Sequence, residues 1–166
     1  MTAFTELPHW IETTPLAILI SQSTYGFPAI DMFHVAAVSL VFGTIAILDL
    51  RLTGVAFADF SVTDLSRQLL PWTWAAFVIA AITGVLLFTG QAAKYTMNFA
   101  FLIKLALMGI AGVNMLVFHF ITYRGVAGWD HGIPVPWAAK LAGGLSLVTW
   151  IAVAVYGRFT AYYMFP

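Results

Sequence analysis

Apolar residues along this chain fall into four long runs separated by shorter polar stretches. The runs cover residues 30–50, 70–89, 101–123 and 137–156, and the last can extend to Tyr163. Each is about 20 residues long, the length a helix needs to cross a bilayer. Pro71 near the start of the second run suits a first helical turn, where its missing N–H costs nothing. Residues 1–28 are different. They hold Pro8, Pro15 and Pro28 with Glu6 and Glu12 and lack the basic start of a signal peptide, so they predict an interfacial segment of the mature chain. Within it, Thr14 to Gln22 is too short to span and predicts a helix lying at the surface, with Trp10, Tyr25 and Phe27 as anchors. The link 53–68 predicts a second short helix capped by Ser61 or Thr63. The expected architecture is an all-α membrane protein: one integral-membrane domain over residues 1–166, forming a four-helix transmembrane bundle with a short N-terminal interfacial helix.

Composition agrees with that pattern. The chain is 61% hydrophobic and 8% charged, too apolar for a soluble domain of 166 residues. A formal net charge of zero argues against a nucleic-acid partner. The absence of cysteine removes disulfides, iron–sulfur clusters, thiolate copper sites and c-type haem attachment. Four histidines and six methionines remain as metal or haem ligands, and the methionines form no paired thioether ladder of the kind copper export would use. Four spans place both termini on one side, here side A. Side B carries Arg51, Arg67, Arg124 and Lys140, against Lys94 and Arg158 on side A. The positive-inside rule then makes side B cytoplasmic and both termini external.

Two ionisable residues lie inside the runs near side A: His34 in the first and Lys104 in the third. Each costs roughly 2.5–3.5 kcal/mol in hydrocarbon even on the lenient insertion scale. Fifteen residues further along each run come Asp49 and His119, a rise of about 22 Å. The runs therefore carry two polar layers, His34 with Lys104 and Asp49 with His119. The spacing leaves open whether the first and third helices touch. It also prevents His34 and His119 from ligating one iron, so a bis-histidine haem would need His9 beside His34 or His131 beside His119; otherwise methionine or lysine is the sixth ligand, or the iron is five-coordinate.

Each polar residue also has an ordinary reading. His34 can be satisfied by a carbonyl or hydroxyl, and His119 by Asp49 or interfacial water. Lys104 can snorkel to side A, neutralise a propionate or substrate carboxylate, or act as a base of lowered pKa. Asp31, one turn before His34, can orient its ring or relay protons. Asn114 suits an interhelical hydrogen bond first and a cofactor contact second. Small residues around these positions (Ala36, Ala37 and Gly43; Gly109 and Gly112; Gly143 and Gly144) allow close helix approach and leave room for a flat macrocycle.

Thr14–Ala17, His34, Leu48–Leu52 with Asp49 and Arg51, Leu70–Trp74, Thr83–Phe88, Phe101–Leu107 and Asn114–His119 together resemble a family of small bacterial inner-membrane proteins of uncharacterised function. More distantly the chain is similar to the four-helix membrane proteins of the copper-resistance CopD group and the HemJ-type protoporphyrinogen oxidases. Those carry a histidine early in a first core helix, a Thr-Gly late in the next and a lysine early in the one after. The resemblance implies His34 as an axial ligand of haem b and Lys104 as its essential partner. The chain departs from HemJ-type proteins at Ser39–Gly43, and it adds His119 and the Asp49–Leu52 element.

The leading expectation is therefore a haem b protein passing electrons to or from a quinone or a periplasmic redox partner. It would hold one haem at His34 with Lys104, or two if His119 holds a second. An oxidoreductase component of HemJ type is the enzymatic form of that reading. Two other classes stay open. One is a structural or assembly subunit of a larger membrane complex, or a homo-oligomer. The other is a small-solute or metal transporter of CopD type, which Val35 to Leu48 disfavours because only Ser39 and Thr44 are polar there.

Overall fold

In a computed structural model, which describes residues 3–130 and 134–164, every regular element is helical and no strand occurs among the described residues. His131 lies outside them. The chain forms α1 (Ala3–Glu12), α2 (Pro15–Gln22), α3 (Gly26–Thr53), α4 (Val62–Gly90), α5 (Ala92–Met97), α6 (Phe99–Val117) and α7 (Trp137–Met164). Between α6 and α7 the backbone widens into a π turn over Phe118–Thr122 and tightens into 3-10 turns over Tyr123–Gly128. Four helices are long and apolar enough to cross a membrane, with mean hydropathy between 1.7 and 2.1. The protein is a multi-pass membrane protein.

Local chemistry sets the helix ends. Thr14 accepts a hydrogen bond from Ala17 N to start α2, with Pro15 in its first turn. Ser61 accepts from Asp64 N to start α4, and Asn98 from Phe101 N to start α6. Gly54, at φ 78°, closes α3 in the left-handed conformation that glycine adopts without a Cβ clash. The largest departure from the pattern-based reading lies in α4. The short helix expected in the link and the second span are one continuous helix, and Pro71 sits in its interior. Pro71 removes one ladder hydrogen bond there. Thr73 bridges the neighbouring turn, donating to Leu69 O (2.9 Å) and meeting Thr44 Oγ1 of α3 (2.8 Å).

Neighbouring spans pack antiparallel: α3 on α4, α3 on α7, and α6 on α7. α6 packs chiefly along α7 and touches α4 at the side A end, where Phe101 stacks on Phe88. The four spans thus run α4–α3–α7–α6 in order of contact. The α3–α7 crossing is close, because a Cβ on Gly143 would stand 2.9 Å from Leu52 Cβ and 3.0 Å from Asp49 O. At side A, α1 packs on α5 and α2 on α4. Glu12 Oε1 accepts from Ala93 N at 2.9 Å, tying the N-terminal segment to the α4–α6 link. At side B, Leu52, Val62, Trp129 and Ala139 form a small buried apolar cluster.

Candidate functional site

The side A end of the bundle is assembled from five helices. α3 brings Asp31 and His34; α4 brings Ala80, Thr83, Gly84 and Phe88; α5 brings Tyr95; α6 brings Phe101 and Lys104; α7 brings Gly157. His34 is half-buried, and its Nδ1 lies 3.0 Å from Ala80 O and 3.0 Å from Thr83 Oγ1. A carbonyl only accepts, so the proton sits on Nδ1 and donates. Thr83 spends its own proton on Ile79 O at 2.7 Å, which leaves its oxygen free to accept. In the neutral ring Nε2 then carries the lone pair, and among the described residues nothing hydrogen-bonds it. Gly84 makes room for the imidazole, since a Cβ there would stand 3.1 Å from His34 Cε1.

Lys104 lies across from this ring. Its charge, like that of Asp31, reaches His34. Its Nζ sits 5.0 Å above the Phe101 ring, a cation–π contact. Phe101 stacks on Phe88 at 5.9 Å and meets Tyr95 at 5.0 Å. Gly157 leaves space for the lysine stem, 3.7 Å from the position a Cβ would take. Among the described residues no carboxylate lies within ion-pair distance of Lys104. In α5, burial raises the Tyr95 phenol above its ordinary pKa, and the Asp31 carboxylate raises it further.

The expected second layer does not form as a pair. Asp49 is 5% exposed and faces Ser146 of α7, while its Oδ2 has no hydrogen-bond partner among the described residues. His119 is exposed in the π turn, stacked on Tyr123 at 5.7 Å and edge-on to Phe120 at 5.5 Å. The two stay apart because α6 leans on α7 rather than on α3. Arg51 is buried and donates from Nε to Phe60 O at 2.5 Å, holding the α3–α4 link. Asn114 donates to Ala142 O at 3.0 Å, the interhelical bond its position suggested. His9 lies in α1, 3.9 Å from Glu12, and α1 packs on α5 rather than α3.

The model of a family of unknown function, DUF6644, matches residues 8–163. The chain belongs to that family. No curated protein and no solved structure matches it.

In this DUF6644 protein His34 is the side A residue that could hold a metal or a haem iron, through Nε2. A neutral imidazole whose Nδ1–H is held by a backbone carbonyl is the state in which histidine ligates a metal through Nε2. Lys104, with no carboxylate in ion-pair distance among the described residues, could neutralise a bound anionic group. No group of three or more His, Asp or Glu side chains able to hold a bare metal ion occurs among the described residues.

Several residues that build these ends carry weak sequence signals. The resemblance picks out the Thr83-Gly84 pair, but its contact with His34 becomes visible only when α3 and α4 are docked. Ser146 and Asn98 look like isolated polar residues, and only the α7 contacts reveal their roles. Asn98 donates to Thr160 O at 3.1 Å. Asp130 accepts from Val62 N at 2.6 Å and Thr63 N at 3.2 Å, capping α4 from 67 and 68 residues away.

Proposed function

We propose that this DUF6644 protein binds one haem b near side A, with His34 as the axial ligand and Lys104 beside it, and passes electrons to or from a quinone or a periplasmic partner. The observation that carries the reading is the His34 imidazole, held through Nδ1 by Ala80 O and Thr83 with Nε2 left free. When bound, haem b supplies a one-electron redox centre. The chain's own residues do the rest. Ala80 O and Thr83 fix the ring and its tautomer, and Gly84 admits it. Lys104 supplies positive charge in an apolar setting. Phe101 faces the lysine and packs in turn with Phe88 and Tyr95. The charge distribution favours both termini outside the cytoplasm, on the periplasmic side of the bacterial inner membrane that the resemblance implies.

Expression with haem supplied tests the reading. About one haem per purified chain is the expected result, and a colourless preparation contradicts it. A second reading, a subunit of a larger membrane complex or a homo-oligomer, draws on α6. Only 6% of its spanning window is buried within the chain, against 22–28% for the other three spans. That apolar surface contacts lipid or a neighbouring helix.

A further inference from the structure

A groove of about 400 Å³ lies at side B, between the start of α4 and Tyr123. Its polar part is Thr63, Ser66 and Arg67, and its apolar part is Pro71, Trp74 and Tyr123. Ser66 is 3% exposed, yet its hydroxyl has no hydrogen-bond partner among the described residues. A helical serine ordinarily bonds back to its own ladder. This one instead lines the groove, where its hydroxyl is open to a ligand. Arg67 is exposed, and among the described residues it forms no ion pair.

The placement limits what the groove can hold. Arg67 precedes the apolar stretch of α4 by one turn, and Trp72 and Trp74, 65% and 52% exposed, mark the interface beside it. The polar groups therefore sit at headgroup depth, and Pro71 and Trp74 lead into hydrocarbon. Two carboxylates stand near. Asp130 is occupied by the α4 backbone amides, and Asp64 is exposed and does not line the groove. Guanidinium and hydroxyl donors above an apolar floor match a phosphate joined to acyl chains.

We propose that this groove seats the phosphate headgroup of an anionic phospholipid, with Arg67, Ser66 and Thr63 on the phosphate oxygens and the acyl chains over Pro71 and Trp74. The inference is independent of the haem reading, because it concerns the opposite end of the bundle.

Native mass spectrometry of the full chain in mild detergent, titrated with phosphatidylglycerol or phosphatidylcholine, tests it. The wild type is expected to retain one phosphatidylglycerol per chain in preference to phosphatidylcholine. Arg67→Gln weakens that retention roughly five- to tenfold, Ser66→Ala weakens it less, and Arg158→Gln at the other end leaves it unchanged. Arg67→Lys, which keeps the charge without the fork, falls between and serves if Arg67→Gln does not fold. Equal retention of both lipids overturns the proposal. So does full retention by Arg67→Gln or Arg67→Lys, equal loss in Arg158→Gln, or displacement of the lipid by millimolar inorganic phosphate or by a quinone.

Discussion

Gly84 of α4 lies so close to His34 of α3 that a methyl group at position 84 would stand 3.1 Å from the imidazole Cε1. The same ring is held 3.0 Å from Ala80 O, one turn earlier on α4. Gly84→Ala therefore pushes the ring away from the carbonyl that fixes its tautomer. The expected result is a several-fold drop in the haem-to-protein ratio, with unchanged helix content by circular dichroism. Gly109→Ala is the matched control, because nothing stands within 4 Å of its Cβ position. It should leave haem content intact and raise stability by about 0.5–1 kcal/mol, through helix propensity alone.

The α3–α7 crossing has no such tolerance. A Cβ on Gly143 meets Leu52 Cβ at 2.9 Å and the Asp49 carbonyl at 3.0 Å, and neither is the free end of a flexible side chain. Gly143→Ala should cost about 1–3 kcal/mol by overpacking and also disturb the approach of Asp49 to Ser146. Thermal unfolding in detergent measures it as a lowered midpoint.

Asp130 ties the α6–α7 link to the first amides of α4. Asp130→Ala leaves Val62 N and Thr63 N without their acceptor, while Ser61 still serves Asp64 N. The expected loss is about 1–2 kcal/mol, the usual range for a helix cap. Amide exchange should quicken first at Val62 and Thr63, and unchanged protection there would contradict the assignment.

Tyr95 gives a pH signature outside the spans. Burial and then the Asp31 carboxylate both disfavour the phenolate, so the folded pKa stands above the ordinary value of 10.0. The folded state holds its proton longer than the unfolded chain does. This contribution to stability is complete below pH 10 and is lost as pH rises through the folded pKa. Difference titration against Tyr95→Phe should show one late-ionising phenol, and Asp31→Asn should bring it part of the way back.

The spans were legible because a bilayer demands unbroken apolar length, and nothing in residues 30–50 or 137–156 competes with that signal. The cap at Ser61 was legible because capping is local. Pro71 misled because proline at a helix start and proline inside a tightly packed helix read alike; the helix runs through it, with Asp130 and Ser61 securing the earlier turns. The matched depths of His34 and Lys104 followed from helical rise. Whether Asp49 met His119 depended on which helices touch, and spacing along a chain carries no information about that. α6 packs on α7, so Asp49 found Ser146 and His119 found Tyr123.

The central claim is that His34, and not His119, holds the haem. The most direct test is the absorbance spectrum and haem-to-protein ratio of the wild type beside His34→Ala and His119→Ala, with and without added imidazole. The account predicts about one haem in the wild type and in His119→Ala, nearly complete loss in His34→Ala, and partial recovery of that variant with imidazole. Full haem retention in His34→Ala, or equal loss in both variants, would contradict it.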